Sequence, residues 1–124
     1  TVLTFVVTVT DDVGATATDE VNVTVQDSGT VDTTPPSTTG SFIRSTVKGV
    51  AYFEITLNAD EPATTYFRLT GEASIISGGT ATTDWQTYNG VITVQMVKWG
   101  TANFEYYSVD TAGNTEVTKT EVLQ

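Results

Sequence analysis

The chain has no cysteine and no histidine. Without cysteine there is no disulfide, no thiolate metal site and no thiol nucleophile. Without histidine, Ser-His-Asp catalysis, imidazole–zinc sites and the commonest general base are excluded. Basic residues are scarce: 5 Lys and Arg stand against 15 Asp and Glu, for a net charge of −10. Phosphate binding needs clustered Lys and Arg, so nucleic acid is not an expected partner, and neither is an anionic membrane surface. No apolar run is long enough to insert into a membrane as a helix, and no signal-peptide pattern is present. No window holds a 3.6-residue apolar period, so no helix is expected. A Gly-x-Ser-x-Gly elbow and a phosphate loop are both missing. A glycosidase needs two carboxylates facing each other across a cleft, whereas the acids here fall mostly in turns and on outward strand faces. These absences read as a non-enzyme.

What is abundant is sheet-forming material. Thr is the commonest residue and Val the next, as suits a pleated, half-buried surface. Few Lys and many Thr fit an exported, extracellular or cell-surface protein. The chain does not begin with Met, which is expected of a mature secreted product or of a piece of something longer.

One hairpin is written twice. Residues 5–16 read FVVTVTDDVGAT and residues 104–115 read FEYYSVDTAGNT. Phe5 aligns with Phe104, Val7 with Tyr106, Asp11 with Asp110, Gly14 with Gly113 and Thr16 with Thr115. Each copy is an alternating strand, an Asp-x-x-Gly turn whose Gly supplies a positive φ, and a returning strand. The first copy has almost nothing before it, so residues 1–27 are expected to be the last two strands of one domain. Residues 28–38, with Pro35-Pro36 at the centre, read as a stiff, extended linker. Residues 39–124 have the length of a complete domain. Its predicted strands are 41–44, 50–59, 63–70, 91–99, 101–109 and 115–123, with a short one near 73–76 and Gly78-Gly79 as a break. Short strands with frequent turns predict an all-β fold: an immunoglobulin-like (Ig-like) antiparallel β-sandwich preceded by a separate β-hairpin.

Residues 4–25, TFVVTVTDDVGATATDEVNVTV, resemble the last two strands of a polycystic-kidney-disease (PKD) repeat. Residues 32–36, DTTPP, resemble the join before bacterial and archaeal Ig-like modules. Residues 59–69 (ADEPATTYFRL), 88–94 (YNGVITV) and 104–116 are similar to the Ig-like module at the C-terminus of chitobiase-type enzymes. The resemblance implies spacers, adhesive units or building blocks of surface layers. The upstream strands of a PKD repeat are missing here.

The orphan hairpin carries an apolar assembly face: Leu3, Phe5, Val7, Val9, Val21, Val23 and Val25. At roughly 1.5–3 kcal/mol for each fully buried side chain, covering it is worth on the order of ten kcal/mol before entropy. An uncovered ribbon with open edges is marginal in water and prone to association. Insertion into a neighbouring copy, or into a neighbouring Ig-like domain, would shelter it by strand addition. The expected function is therefore a structural surface protein, a subunit of a surface layer or filament. The alternatives are an accessory module of a secreted enzyme or adhesin, with carbohydrate as ligand, or a passive spacer. Trp85, Tyr88 and Trp99 could stack a sugar, or serve as core and edge packing.

Calcium takes oxygen ligands from loop carboxylates and carbonyls. In an Ig-like topology the loop after the second strand, the loop before the last strand and the N-terminal approach share one end, which gathers Asp32, Asp60, Glu61 and Asp110, with Asp27 nearby. These five could hold calcium at the junction, or serve as turn formers bonded to local backbone. Asn22-Val23-Thr24 is an N-glycosylation sequon, and strand parity turns Asn22 away from the apolar face.

Overall fold

The computed structural model describes residues 2–24 and 31–124, less the side chains of residues 2–5, 7 and 19–24. The chain is all-β and divides into two units, Thr1–Val31 and Asp32–Gln124. The first unit is one antiparallel hairpin, β1 (Val2–Thr10) and β2 (Thr16–Thr24), paired in nine-residue register from Val2↔Thr24 to Thr10↔Thr16. Within it Leu3 pairs with Val23 and Phe5 with Val21.

The second unit is a β-sandwich. Its strands are β3 (Thr38–Val47), β4 (Val50–Ala59), β5 (Ala63–Gly71), β6 (Ala73–Ser77), β7 (Gln86–Thr87), β8 (Ile92–Met96), β9 (Ala102–Asp110) and β10 (Lys119–Leu123). One sheet has the order β3-β4-β8-β6 and the other β10-β9-β5-β7. Set against the seven strands A to G of an immunoglobulin constant-type sandwich, this is ABED on one side and GFC on the other. The two-residue β7 is an addition beside β5.

Alternation builds the core. In β4 the side chains of Phe53, Ile55 and Leu57 are buried, while Glu54, Thr56 and Asn58 face solvent. Phe67 and Leu69 of β5, Ile92, Val94 and Met96 of β8, and Phe104 of β9 complete the inner layer. Phe67, Phe104, Ile55, Ile92 and Leu123 are fully buried, each stabilising the fold by about 1.5–3 kcal/mol. The Phe104 ring stacks on Phe67 at 5.6 Å and meets Phe42 edge-on at 5.7 Å.

Several boundaries differ from those read in the sequence. β3 begins at Thr38 and runs ten residues, because it pairs along the whole of β4. Thr38 and Pro36 are buried, so the stretch expected as linker ends against the sandwich rather than outside it. The strand expected over 115–123 forms only a bridge at Thr115 and resumes at Lys119. Between them the Glu116 N–H still donates to the Ser108 carbonyl at 2.9 Å, while its side chain turns inward and its carboxylate takes the Ser108 N–H. The strand expected over 91–99 stops at Met96, where a turn closes with the Gly100 N–H donating to the Val97 carbonyl at 2.8 Å.

Candidate functional site

The two Asp-x-x-Gly turns have the same bonds. In the first, Asp11 Oδ1 accepts from the N–H groups of Val13 and Ala15 at 3.0 and 2.8 Å. In the second, Asp110 Oδ1 accepts from Ala112 and Asn114 at 2.9 and 2.8 Å. The glycine N–H of each donates to the Asp carbonyl, Gly14 to Asp11 and Gly113 to Asp110. Their φ angles, 82° and 91°, lie where a side chain is disfavoured. Sequence alone sufficed to find this turn twice.

The second turn is part of a carboxylate cluster. Asp32, Glu61 and Asp110 each bring an oxygen within 4.8 Å of the other two. The Asn114 side-chain amide ties them, donating to Asp110 Oδ2 and to the Asp32 carbonyl, both at 2.9 Å. That amide and the N–H groups of Asn114 and Ala112 hold Asp110 below its ordinary value, against the opposing effect of burial. Glu61 is pushed up, first by desolvation and then by Asp32, Asp110 and Asp60. A hard cation such as calcium would find three carboxylates here. Asp110 already accepts three N–H donors, which suits a fixed anion better than a proton carrier.

Of the five residues read as calcium ligands, Asp32, Glu61 and Asp110 come together. Asp60 spends its carboxylate on the Ser37 N–H at 2.8 Å, and its own N–H donates to the Ser37 carbonyl. Asp27 lies outside the described residues. Of the assembly face, only the Val9 side chain is described, and it is 62% exposed. The side chains of Leu3, Phe5, Val7, Val21 and Val23, and the whole of Val25, lie outside the described set. So does the side chain of the sequon residue Asn22, although the register pairs it with Thr4, one step from the Leu3 and Phe5 positions.

Beneath the cluster is a polar network that sequence patterning missed. Glu116, buried, accepts from the Thr38 N–H at 2.8 Å, the Thr38 hydroxyl at 2.7 Å and the Ser108 N–H at 3.1 Å. It pairs with Lys119 at 2.8 Å, and the Lys119 ammonium also donates to the Thr38 carbonyl. Ser108 bonds the hydroxyls of Thr38 and Thr65 at 2.6 and 2.7 Å. Burial pushes Glu116 up, but Lys119 and the two Thr38 donors outweigh it and hold the carboxyl below its usual range. This network fastens the start of β3 to the last hairpin.

The aromatic residues separate into different places. Trp85 meets Tyr107 edge-on at 4.8 Å and carries the Arg68 guanidinium over its ring at 4.6 Å. Tyr66 stacks on Tyr107, and Tyr88 packs against the core. Among the described aromatic side chains Trp99 alone is bare, 93% exposed. The ring face that a sugar would cover on Trp85 is thus taken by Arg68. The spacing Ser45-x-x-Lys48, used elsewhere by serine acyl-enzymes, falls on an exposed edge strand and its turn. Ser45 lies in β3 and Lys48 in the turn that follows, at a φ of 50°. Comparison with protein-family models, with curated proteins and with solved structures gives no match.

Proposed function

We propose that the chain is a structural, extracellular surface protein, a subunit of a surface layer or filament built by strand addition between copies. The observation that carries this reading is the make-up of the first unit. Its sheet has two nine-residue strands, each with a single ladder partner among the described residues. Each strand therefore leaves one edge of N–H and C=O groups open, in a ribbon of a kind that is marginal alone. A strand from a neighbouring copy or Ig-like domain supplies the missing bonds, and a head-to-tail contact that does not close propagates as a filament. The PKD-like sequence of residues 4–25 and the chitobiase-type resemblance further along belong to the same reading. In it, Asp32, Glu61 and Asp110 take up calcium and stiffen the approach to the sandwich.

The test is assembly of the intact chain, followed by electron microscopy and sedimentation. Extended polymers are expected. Alternate residues of an edge strand turn their N–H groups outward, so one of Thr8→Pro and Val9→Pro removes a donor that a neighbour needs. That variant is expected to stop growth while the other weakens the ribbon itself. A monodisperse monomer at every concentration rejects the proposal and favours a spacer or accessory module.

A further inference from the structure

The sandwich divides its charge between its two ends. Register places them: Thr38 pairs with Ala59 and Ala63 with Asp110 at one end, Val47 with Val50 and Gly71 with Ala102 at the other. The first end carries Asp32, Glu61 and Asp110. Five basic side chains serve the whole chain, and three of them, Arg44, Lys48 and Lys98, stand exposed towards the second end. There a cleft of about 350 Å³ is lined by Arg44, Lys98 and Trp99, among others. The carboxylates towards this end include Glu72, held by the Thr101 N–H at 3.0 Å, and exposed Glu121, whose register partner Phe104 is two residues from Ala102. In a chain of net charge −10, a local cationic surface is a departure from the rest.

Trp99 makes that surface adhesive. It is almost wholly exposed, and its φ is 65°, a backbone region that is costly for a bulky residue and free for Gly. The fold gains neither burial nor backbone ease from this indole. Observed strain at an exposed position points to a role outside the molecule. Lys98 lies 5.8 Å from the ring, and Val97, lining the same cleft, is more than half exposed. Trp and Arg are residue types that binding hot spots favour, and the Arg44 guanidinium is oriented here by the Gln124 carbonyl and the Thr46 hydroxyl, each at 3.1 Å.

We infer that this end is a docking patch for the acidic end of a second copy. While no calcium occupies the carboxylates, Lys48 and Lys98 of one copy face Asp32 and Glu61 of the next, and the Trp99 indole is covered at the contact. Charge complementarity chooses the occupant. Among the described residues Asp32, Glu61 and Asp110 have no ion-pair partner, since the two ion pairs are Arg68–Glu105 and Glu116–Lys119. The patch and its complement lie at opposite ends, so the contact is head-to-tail and repeats along the strand axis. It uses no residue of β1 or β2 and is independent of strand addition.

The experiment, run in calcium-free buffer, follows Trp99 itself. In the full chain carrying Trp85→Phe, Trp99 is the sole indole. Its emission is expected to shift to the blue, and its quenching by acrylamide to fall, as concentration rises. Emission that stays put over a range reaching millimolar chain overturns the inference. A polymer joined only through the ribbon also leaves Trp99 bare, so the two proposals fail separately. Charge reversal is the second arm. Lys48→Glu/Lys98→Glu and Asp32→Lys/Glu61→Lys are each expected to lose the blue shift alone, their association through the ends weakening about tenfold or more. An equimolar mixture of the two is expected to regain it, because opposite signs meet at every junction. A mixture that behaves as its components do contradicts the contact. Trp99→Gly is expected to abolish association through the ends while the melting midpoint holds or rises. A lower midpoint with association through the ends unchanged would assign the indole to folding instead.

Discussion

The chain contains one turn in two settings. Around Asp11 the turn is exposed and closes a two-stranded ribbon. Around Asp110 the same bonds close β9, and the aspartate is buried and joined by Asp32, Glu61 and Asn114. The position after the turn shows the difference most plainly. Glu116 in the second copy collects Thr38, Ser108 and Lys119, and its counterpart in the first copy is Ala17, exposed and without a polar side chain. Local turn chemistry is therefore sufficient to make the hairpin, and it says little about how the hairpin is held. What embeds the second copy is long-range: an aromatic core on one face of β9 and a buried carboxylate just beyond it.

Breaking the second copy should have the largest effect. Phe104→Ala removes a fully buried ring in contact with Phe67 and Phe42 and is expected to cost about 3–5 kcal/mol, read as a lower denaturation midpoint of the sandwich. Glu116→Ala strands the Thr38 and Ser108 N–H groups and the Lys119 ammonium. The half-exposed Lys119 regains water, so the expected loss is about 2–4 kcal/mol.

The acid limb of stability sharpens the comparison further. Glu116 and Asp110 are held below their ordinary values of 4.5 and 3.8. The stability they add is present above those values and is lost as pH falls through their lower, folded-state values. Glu61 runs the other way: raised above 4.5, it favours the fold when protonated, and that contribution disappears as pH rises through its raised value. Melting midpoints followed downward from neutral pH should rise slightly, then fall steeply below the usual carboxylate range. Glu61→Gln should erase the rise and, without calcium, raise the neutral-pH midpoint. Millimolar calcium should stabilise the native chain and do little for Glu61→Gln. An unchanged midpoint in the native chain removes the ion from the account. The smallest effect is expected of Ala17→Glu, which installs the second copy's carboxylate in the first: within about 0.5 kcal/mol in the exchange of ribbon amides, since a solvated surface gives it no buried donors.

How far these features could be read from sequence follows physical range. β4 was legible to the residue, since Phe53, Ile55 and Leu57 alternate with Glu54, Thr56 and Asn58 without interruption. The carboxylate trio was legible because topology sends the loops of Glu61 and Asp110 and the approach of Asp32 to one end. Asp60 could not be separated from them, because its bond to Ser37 spans 23 residues. The late start of β10 was hidden for the same reason: the Glu116 side chain turns in to Thr38, 78 residues away. β7 is two residues long and has no period to detect. At Trp99, neighbouring Gly100 looks like the residue that absorbs the turn, whereas the positive φ falls on the tryptophan.

Amide hydrogen exchange on the intact chain, at low and high concentration, tests most directly whether the ribbon completes its sheet on another molecule. The outward N–H groups of β1 or β2 should exchange freely in dilute solution and become protected as copies assemble. Assembly that leaves both edges exchanging at their dilute rates would contradict strand addition.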